Sequence, residues 1–209
     1  MKLLRILLAM LLLPAATLAQ AQSPDTTPDV LVKNVTNEVL EIVRKDKDIQ
    51  AGSNKKAIDL IDVKVLPHFN FTHMTQLAVG KDWRTANAAQ QKTLADEFRV
   101  LLVRTYSKAL TEYKSQVIEF KPFSMKATDT DVKVNTQVNQ PGGKPIPLNY
   151  YLEKLPSGWK VYDIEADGIS LVINYRESFA AEVRNGGIDA LIKSLQAKNL
   201  AAAGGEKKS

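Results

Sequence analysis

The 209-residue chain contains no cysteine and only two histidines, His68 and His73. Without cysteine there can be no disulfide framework, no thiol nucleophile, no thiolate metal centre and no lipid-acylated N-terminal cysteine. Packing alone must hold the fold. The histidines stand five residues apart with Pro67 beside the first. They do not share a helix face and no acidic cluster accompanies them, so both read as structural residues. The phosphate-binding GxxxxGK[ST] loop, the GxSxG elbow and the HExxH pair are likewise missing. A dense basic block is absent too. The 28 Lys and Arg against 23 Asp and Glu give a formal charge of +5, spread along the chain. That mild excess argues against nucleic acid as a partner and leaves weak attraction to anionic surfaces.

What is present begins with a targeting signal. Lys2 and Arg5 form a short positive region, Ile6 to Leu13 an apolar core too short to span a bilayer, and Ala19-Gln20-Ala21 a small-x-small cleavage site. Residues 1–21 are therefore read as a signal peptide cleaved after Ala21, which points to the periplasm, with full secretion as the alternative. Loss of Lys2 and Arg5 takes the formal charge from +5 to +3. Residues 22–200 suffice for one domain with a sizeable core, and residues 201–209 (AAAGGEKKS) read as a disordered tail.

Along the mature chain the hydrophobic period is first helical and then alternating. Thr27 with Pro28 starts a helix carrying Leu31, Val35, Val39 and Ile42, which ends in the charged run Arg44 to Asp48. A second helix fits Asn54 to Leu66, stopped by Pro67. A third is capped by Asn70 and closed at Gly80. The longest runs from Asn87, with Gln90 at capping-box spacing, to about Tyr113. Its middle, FRVLLVRTY, is apolar nearly all round and predicts burial on more than one side. From about residue 116 to 166 four strands are predicted: Val117 to Phe123, Val132 to Val138, Ile146 to Lys154 and Trp159 to Ala166. The last three form an antiparallel meander with one dry and one wet face. The Asp167-Gly168 step then leads into a helix from about Ser170, broken at Gly186-Gly187, and a final helix from Ile188 to about Lys198. The pattern is α+β, with N-terminal helices (about 28–113), a four-stranded curved antiparallel sheet and two closing helices (about 170–198). Such a half-cone either fills itself with side chains or encloses a pocket.

The candidate chemistry is sparse. Asp163, Glu165 and Asp167 alternate along one strand and could suggest acid–base work, but with no base or metal ligand near them they read as a solvated strand face and a helix cap. Lys144 in PGGKPIP reads as hairpin, and the tyrosines read mainly as core. The balance favours a binding module over an enzyme.

Three stretches carry more. VLPHFNFTHMTQLAVGKDWRTANAAQQKTLADEFRVLLVRTYSKAL, GWKVYDIEADGISLVINYRESF and GGIDALIKSL together resemble the MlaC family of periplasmic phospholipid-binding proteins, also called the toluene-tolerance auxiliary family. The likeness runs from about Val30 to Leu200 and rests on Leu66-Pro67-His68-Phe69, Trp83-Arg84, Val103-Arg104-Thr105-Tyr106 and Asn174-Tyr175-Arg176. It departs at two helix starts: Asn70 stands where the family usually has Asp, and Asn87-Ala88 where Thr or Ser usually precedes Pro. Both replacements keep capping ability.

The resemblance implies a nuclear-transport-factor-like cone enclosing an apolar pocket, with a phospholipid as cargo and no cofactor or metal. It implies exchange with two partners, an outer-membrane lipoprotein–porin complex and an inner-membrane ABC transporter with a substrate-binding hexamer, in support of outer-membrane lipid asymmetry. No catalytic residue is implied. The apolar positions expected to meet acyl chains are Leu101, Val134, Ile146, Leu148, Tyr150, Val161, Ile169 and Val172, with Arg176 as a candidate for the headgroup rim. In this reading Ile169, Val172 and Ile173 cover the mouth or wall of the pocket. Two other classes fit the same elements: a hydrolase or isomerase using the cone as a reaction chamber, and a periplasmic adaptor with a filled core.

Overall fold

The computed structural model describes residues 26–206. The predicted signal peptide, its cleavage site and the last three residues of the predicted tail lie outside the described residues.

Helix α1 (Pro28–Lys45) starts where Thr27 is still extended and Pro28 occupies the first turn. Asp29 near its start and Arg44 and Lys45 near its end complement the helix dipole. In the charged run that follows, the Asp46 carboxylate accepts from the Asp48 and Ile49 N–H groups and starts a short helix, α2 (Lys47–Gln50), that periodicity does not reveal. Helix α3 (Asn54–Lys64) is capped by Ser53, and Pro67 turns its exit into a 3-10 turn, Leu66–His68. Helix α4 (Phe71–Val79) is capped by Asn70 and ends at Gly80, where φ is +67°. The Asn at position 70 does more than cap. Its amide donates to Glu153 at 2.7 Å, a bond that an Asp carboxylate could not make.

Helix α5 (Ala88–Thr111) carries the predicted capping box, with Asn87 and Gln90 bonded to one another's backbone. It packs against α3, α4 and the C-terminal helix, so its nearly all-round apolar middle is buried on several sides as expected. Phe98 meets Tyr175 and Phe179 edge-on, with ring centroids 5.1 and 5.2 Å apart.

The sheet is an antiparallel meander in chain order: β1 (Val117–Phe120), β2 (Asp131–Asn139), β3 (Ile146–Leu155), β4 (Gly158–Ala166) and β5 (Ile169–Ser170). The count is five rather than the predicted four, and β1 stops at Phe120 rather than Phe123. The fifth strand arises because Asp167 and Gly168 both adopt positive φ, +50° and +80°. A two-residue turn of that kind folds the chain back as a hairpin, so Ile169 pairs with Ala166 instead of opening a helix. The Ser170 hydroxyl then donates to Asp163 and accepts from the Val172 and Ile173 N–H groups. The predicted helix from Ser170 therefore begins only at Arg176, after a 3-10 turn at Ile173–Tyr175.

The closing element, α6 (Arg176–Glu206), is two helical segments joined at Gly186 and Gly187, as the glycine pair predicts. Its second segment continues to Glu206 rather than stopping near Lys198, so residues 201–206 are helical where a tail was expected. Asn199 anchors that extension: its side-chain amide donates to Glu97 and its backbone carbonyl accepts from Arg104.

Gly187 sits at φ +71°, ψ −169°, a region that is almost exclusively glycine's. Gly187→Ala should destabilise the protein by about 1–3 kcal/mol, measured by denaturant unfolding, while Ala201→Gly near the end of α6 should change it far less.

Candidate functional site

The site begins with an irregularity in β4. Leu152 pairs with Val161 and Tyr150 pairs with Ile164, so one extra residue is accommodated on β4 and the pleat reverses phase there. Trp159 and Val161 on one side of this bulge and Ile164 and Ala166 on the other are thereby brought to the same face. Asp163 and Glu165 move to the opposite face. The bulge keeps a curved strand apolar along one whole side.

Over that side α1, α3, α4 and α5 do not close completely. Two adjoining apolar lobes remain, with volumes of about 440 and 310 Å³. The first lies between α1 and the inner face of the sheet. The second lies under α3, α4 and the middle of α5. They share Val65, Phe69, Ala109, Leu110, Leu148 and Ile164 as walls. Each is within the range of ligand pockets, roughly 300–1,000 Å³. Polar residues enter the first lobe's lining at one end, where exposed Glu112 and Gln140 and half-buried Gln116 come from the end of α5 and the flanks of β1 and β2. That end is its mouth.

The predicted contact residues separate into groups. Leu148 lines both lobes, and Tyr150 and Val161 line the first. Val134 lies just below, buried among Leu152 and Trp159. Leu101 and Val172 pack in the helical core around Phe98 rather than on either lobe. Ile146, opposite Val138 near the hairpin, is in neither lining. Ile169 is 60% exposed on β5 and Ile173 44% exposed, so neither covers the pocket. Because Asp167 and Gly168 make a hairpin instead of a helix start, it is Leu171 that reaches the second lobe. Arg176 donates to the Leu77 carbonyl at 3.1 and 2.7 Å and packs on Gly80, tying α6 to the end of α4 away from both lobes.

Several lining residues escape sequence reasoning. The stripe on α1 is legible as apolar, but nothing in it says that Leu31, Val35 and Val39 face a space rather than a neighbour. Ile164 is off-phase with Val161, and the only signal is that break: two polar positions, Tyr162 and Asp163, between two apolar ones.

Polar groups inside the lobes are few and paired. The Tyr150 hydroxyl bonds Thr36 on α1, and burial pushes its pKa up to about 12. Tyr106, in the second lobe, is also pushed up to about 12 by burial, with its hydroxyl against Tyr175. His68 lines the first lobe, and burial, aided by the positive charge of Lys160, holds its pKa below the ordinary value. His73 lines neither lobe. Contrary to its isolation in sequence it meets an acid: Nδ1 lies 2.8 Å from Glu153, and its ring stacks on Tyr162 at 4.4 Å. This ties α4 to β3.

The predicted carboxylate series is dispersed. Asp163 is buried rather than solvated, and burial raises its pKa although the Ser170 hydroxyl and the Ile164 N–H stabilise its charge. Glu165 accepts from Asn149 and Tyr151 on the outer face. Among the described residues no group of three or more His, Cys, Asp or Glu is placed to hold a metal ion.

Comparison with known proteins gives a consistent picture. A family model described as MlaC protein matches residues 33–197. The intermembrane phospholipid transport system binding protein MlaC of Haemophilus influenzae is 25% identical over 181 residues, 82% of each chain. The toluene tolerance protein ttg2D of Pseudomonas putida is 28% identical over 166 residues, 78% of this chain and 76% of its own. Among solved structures, the phospholipid-binding protein of Ralstonia solanacearum in complex with a phospholipid superposes with a TM-score of 0.78. It is 37% identical, with 85% of this chain and 99% of that one covered.

Two measurements follow from this geometry. In the ligand-free protein Leu152→Ala opens a new hole in a close-packed core and should cost about 2–5 kcal/mol, whereas Leu148→Ala only enlarges an existing space and should cost about 1–2 kcal/mol. Equal losses on chemical denaturation would contradict the cavity. The second concerns His68. The unfolded chain takes up a proton near pH about 6.5 and the folded chain only below that, so stability is present above this value and is lost as pH falls through the window beneath it. His68→Gln should shrink the stability difference between pH 7 and pH 5; an unchanged difference would assign the pH dependence elsewhere.

Proposed function

The chain belongs to the MlaC family, and we propose that it is a periplasmic carrier that takes phospholipid acyl chains into the two lobes and moves the lipid between membranes. The observation that carries this reading is the pair of adjoining apolar lobes that meet at Leu148 and Ile164, with exposed polar residues only at the outer end of the first. Tails enter between α1 and the sheet, and the headgroup stays near Glu112, Gln116 and Gln140. The donor and acceptor are the outer-membrane lipoprotein–porin complex and the inner-membrane ABC transporter with its substrate-binding hexamer. The traffic serves outer-membrane lipid asymmetry.

The energetics suit a carrier rather than a catalyst. Burying some 30 methylenes at about 0.8 kcal/mol each keeps on the order of 20 kcal/mol of apolar surface out of water. Headgroup contacts could not match that, and few are needed. The tails are equally dry in a bilayer, so net exchange is the small difference between two apolar environments. Docking on a partner can tip such a difference in either direction without nucleotide chemistry on this chain.

Protein purified without detergent should carry phospholipid in stoichiometric amount, with headgroups in the host's proportions, by extraction and mass spectrometry. One strongly enriched headgroup would contradict tail-dominated binding. Leu148→Asp places a carboxylate where the empty cavity can admit water, so the variant should stay folded by circular dichroism and purify without lipid. In a filled core the same change would bury an unpaired charge and unfold the domain. A folded variant that keeps its lipid would remove Leu148 from the binding surface.

A further inference from the structure

The first lobe has a mouth and a closed end, and the closed end is built differently from its sides. It is made by Leu31 and Val32 from α1, Phe69, Tyr150 and Val161. All five also belong to the packed cluster around Val134, Leu152 and Trp159, which are 2%, 0% and 4% exposed. Apart from Phe69, which also borders the second lobe, this floor rests on close-packed residues. Tyr150 is the one residue of the floor that spans the lobe, because its ring leaves β3 and its hydroxyl bonds Thr36 on the facing side of α1. Shortening any aliphatic member of the floor removes a few atoms from a wall. Shortening Tyr150 removes the cross-piece between sheet and helix and joins the lobe to the space above Val134, its direct partner on β2.

We propose that Tyr150 sets the length of acyl chain that the first lobe accepts, acting as the floor against which the terminal methyl stops. The inference rests on the carrier reading and adds a specificity that the carrier reading leaves open. A chain longer than the distance from mouth to Tyr150 leaves its surplus methylenes at the mouth in water, while a shorter chain leaves the floor uncovered. Discrimination therefore falls on each methylene that does or does not fit. The polar atom of the floor does not alter this, since the hydroxyl is already satisfied by Thr36 and offers the chain only the ring. Replacing Tyr by Phe keeps the floor; replacing it by Ala or Leu lowers it.

The test loads wild type, Tyr150→Phe and Tyr150→Ala from vesicles holding equal amounts of phosphatidylethanolamines with short and long saturated chains, and counts the bound species by mass spectrometry. Tyr150→Ala should shift the bound population toward long chains by about fourfold for each methylene newly accommodated, and Tyr150→Phe should match wild type. Tyr150→Leu, which retains apolar contact with the Val134 cluster, carries the same expectation as Ala if Tyr150→Ala is poorly folded. A folded Tyr150→Ala or Tyr150→Leu that binds lipid with the wild-type length profile would overturn the proposal. So would a folded variant that binds no lipid of any length, since the ring would then serve retention rather than length. Failure of the wild type itself to take up either lipid would instead defeat the carrier reading.

Discussion

An apolar space of this size can persist in water only if its walls are held apart from outside. Dry surfaces of Leu, Val, Ile and Phe gain free energy by closing on each other, so the open lobes depend on rigid supports at their ends. Three packed clusters supply them. The helical core around Phe98, Phe179 and Leu195 fixes α4, α5 and α6 as one block. The cluster of Leu31, Val134, Leu152 and Trp159 clamps the start of α1 to the base of the sheet. The cluster of Val39, Val43, Ile49 and Tyr113 clamps the other end of α1 to the end of α5. Helix α1 is thus pinned at both ends and bridges the gap between them. That is why the residues in its middle, Val35 and Thr36, face a cavity.

Polar ties complete the frame at places where apolar packing would fill the space. Arg44 reaches the Tyr113 hydroxyl, which in turn donates to the Gln116 carbonyl beside the mouth. Glu153 gathers Asn70 and His73 and ties α4 to β3. Arg176 fixes α6 to the last turn of α4. Each uses the charged and aromatic residues that would otherwise invite a catalytic reading, and each positions an element that borders a lobe. These polar groups tie one element to another, while the walls of the two lobes are mostly hydrocarbon.

That contrast explains what was legible in the sequence. Caps and breakers act locally, so Pro28, Asn70, Gly80, the Asn87–Gln90 box and the Gly186-Gly187 break could all be read within a residue or two of where they act. The alternation of Val132, Val134 and Val138 likewise gave the dry face of the sheet. What sequence could not give was the fate of the Asp167-Gly168 step, because an Asp-Gly pair can either take positive φ at both residues and make a hairpin or lead into a helix with Asp as its cap. One wrong turn there exchanged Leu171 for Ile169 and Val172 in the predicted wall. The β4 bulge had the same effect on Ile164, since a single extra residue inverts which side chains face inward. Whether an apolar stripe meets a partner or a void is a property of the whole assembly, and no local pattern on α1 or α5 encodes it. Tyr150 and Val161 line the first lobe because the alternation of β3 and of β4 up to its bulge points them inward, and Leu101 packs in the helical core because α5 is apolar on every side.

The central claim is that the two lobes house lipid tails, and the most direct measurement is a crystal structure of the protein purified from its host membranes without detergent. The account predicts continuous acyl density against Leu148 and Ile164, ending at Tyr150 in the first lobe, with the headgroup outside near Glu112, Gln116 and Gln140. Lobes filled by the protein's own side chains, or lipid bound only on the outer face of the sheet beside Lys133 and Glu165, would contradict it.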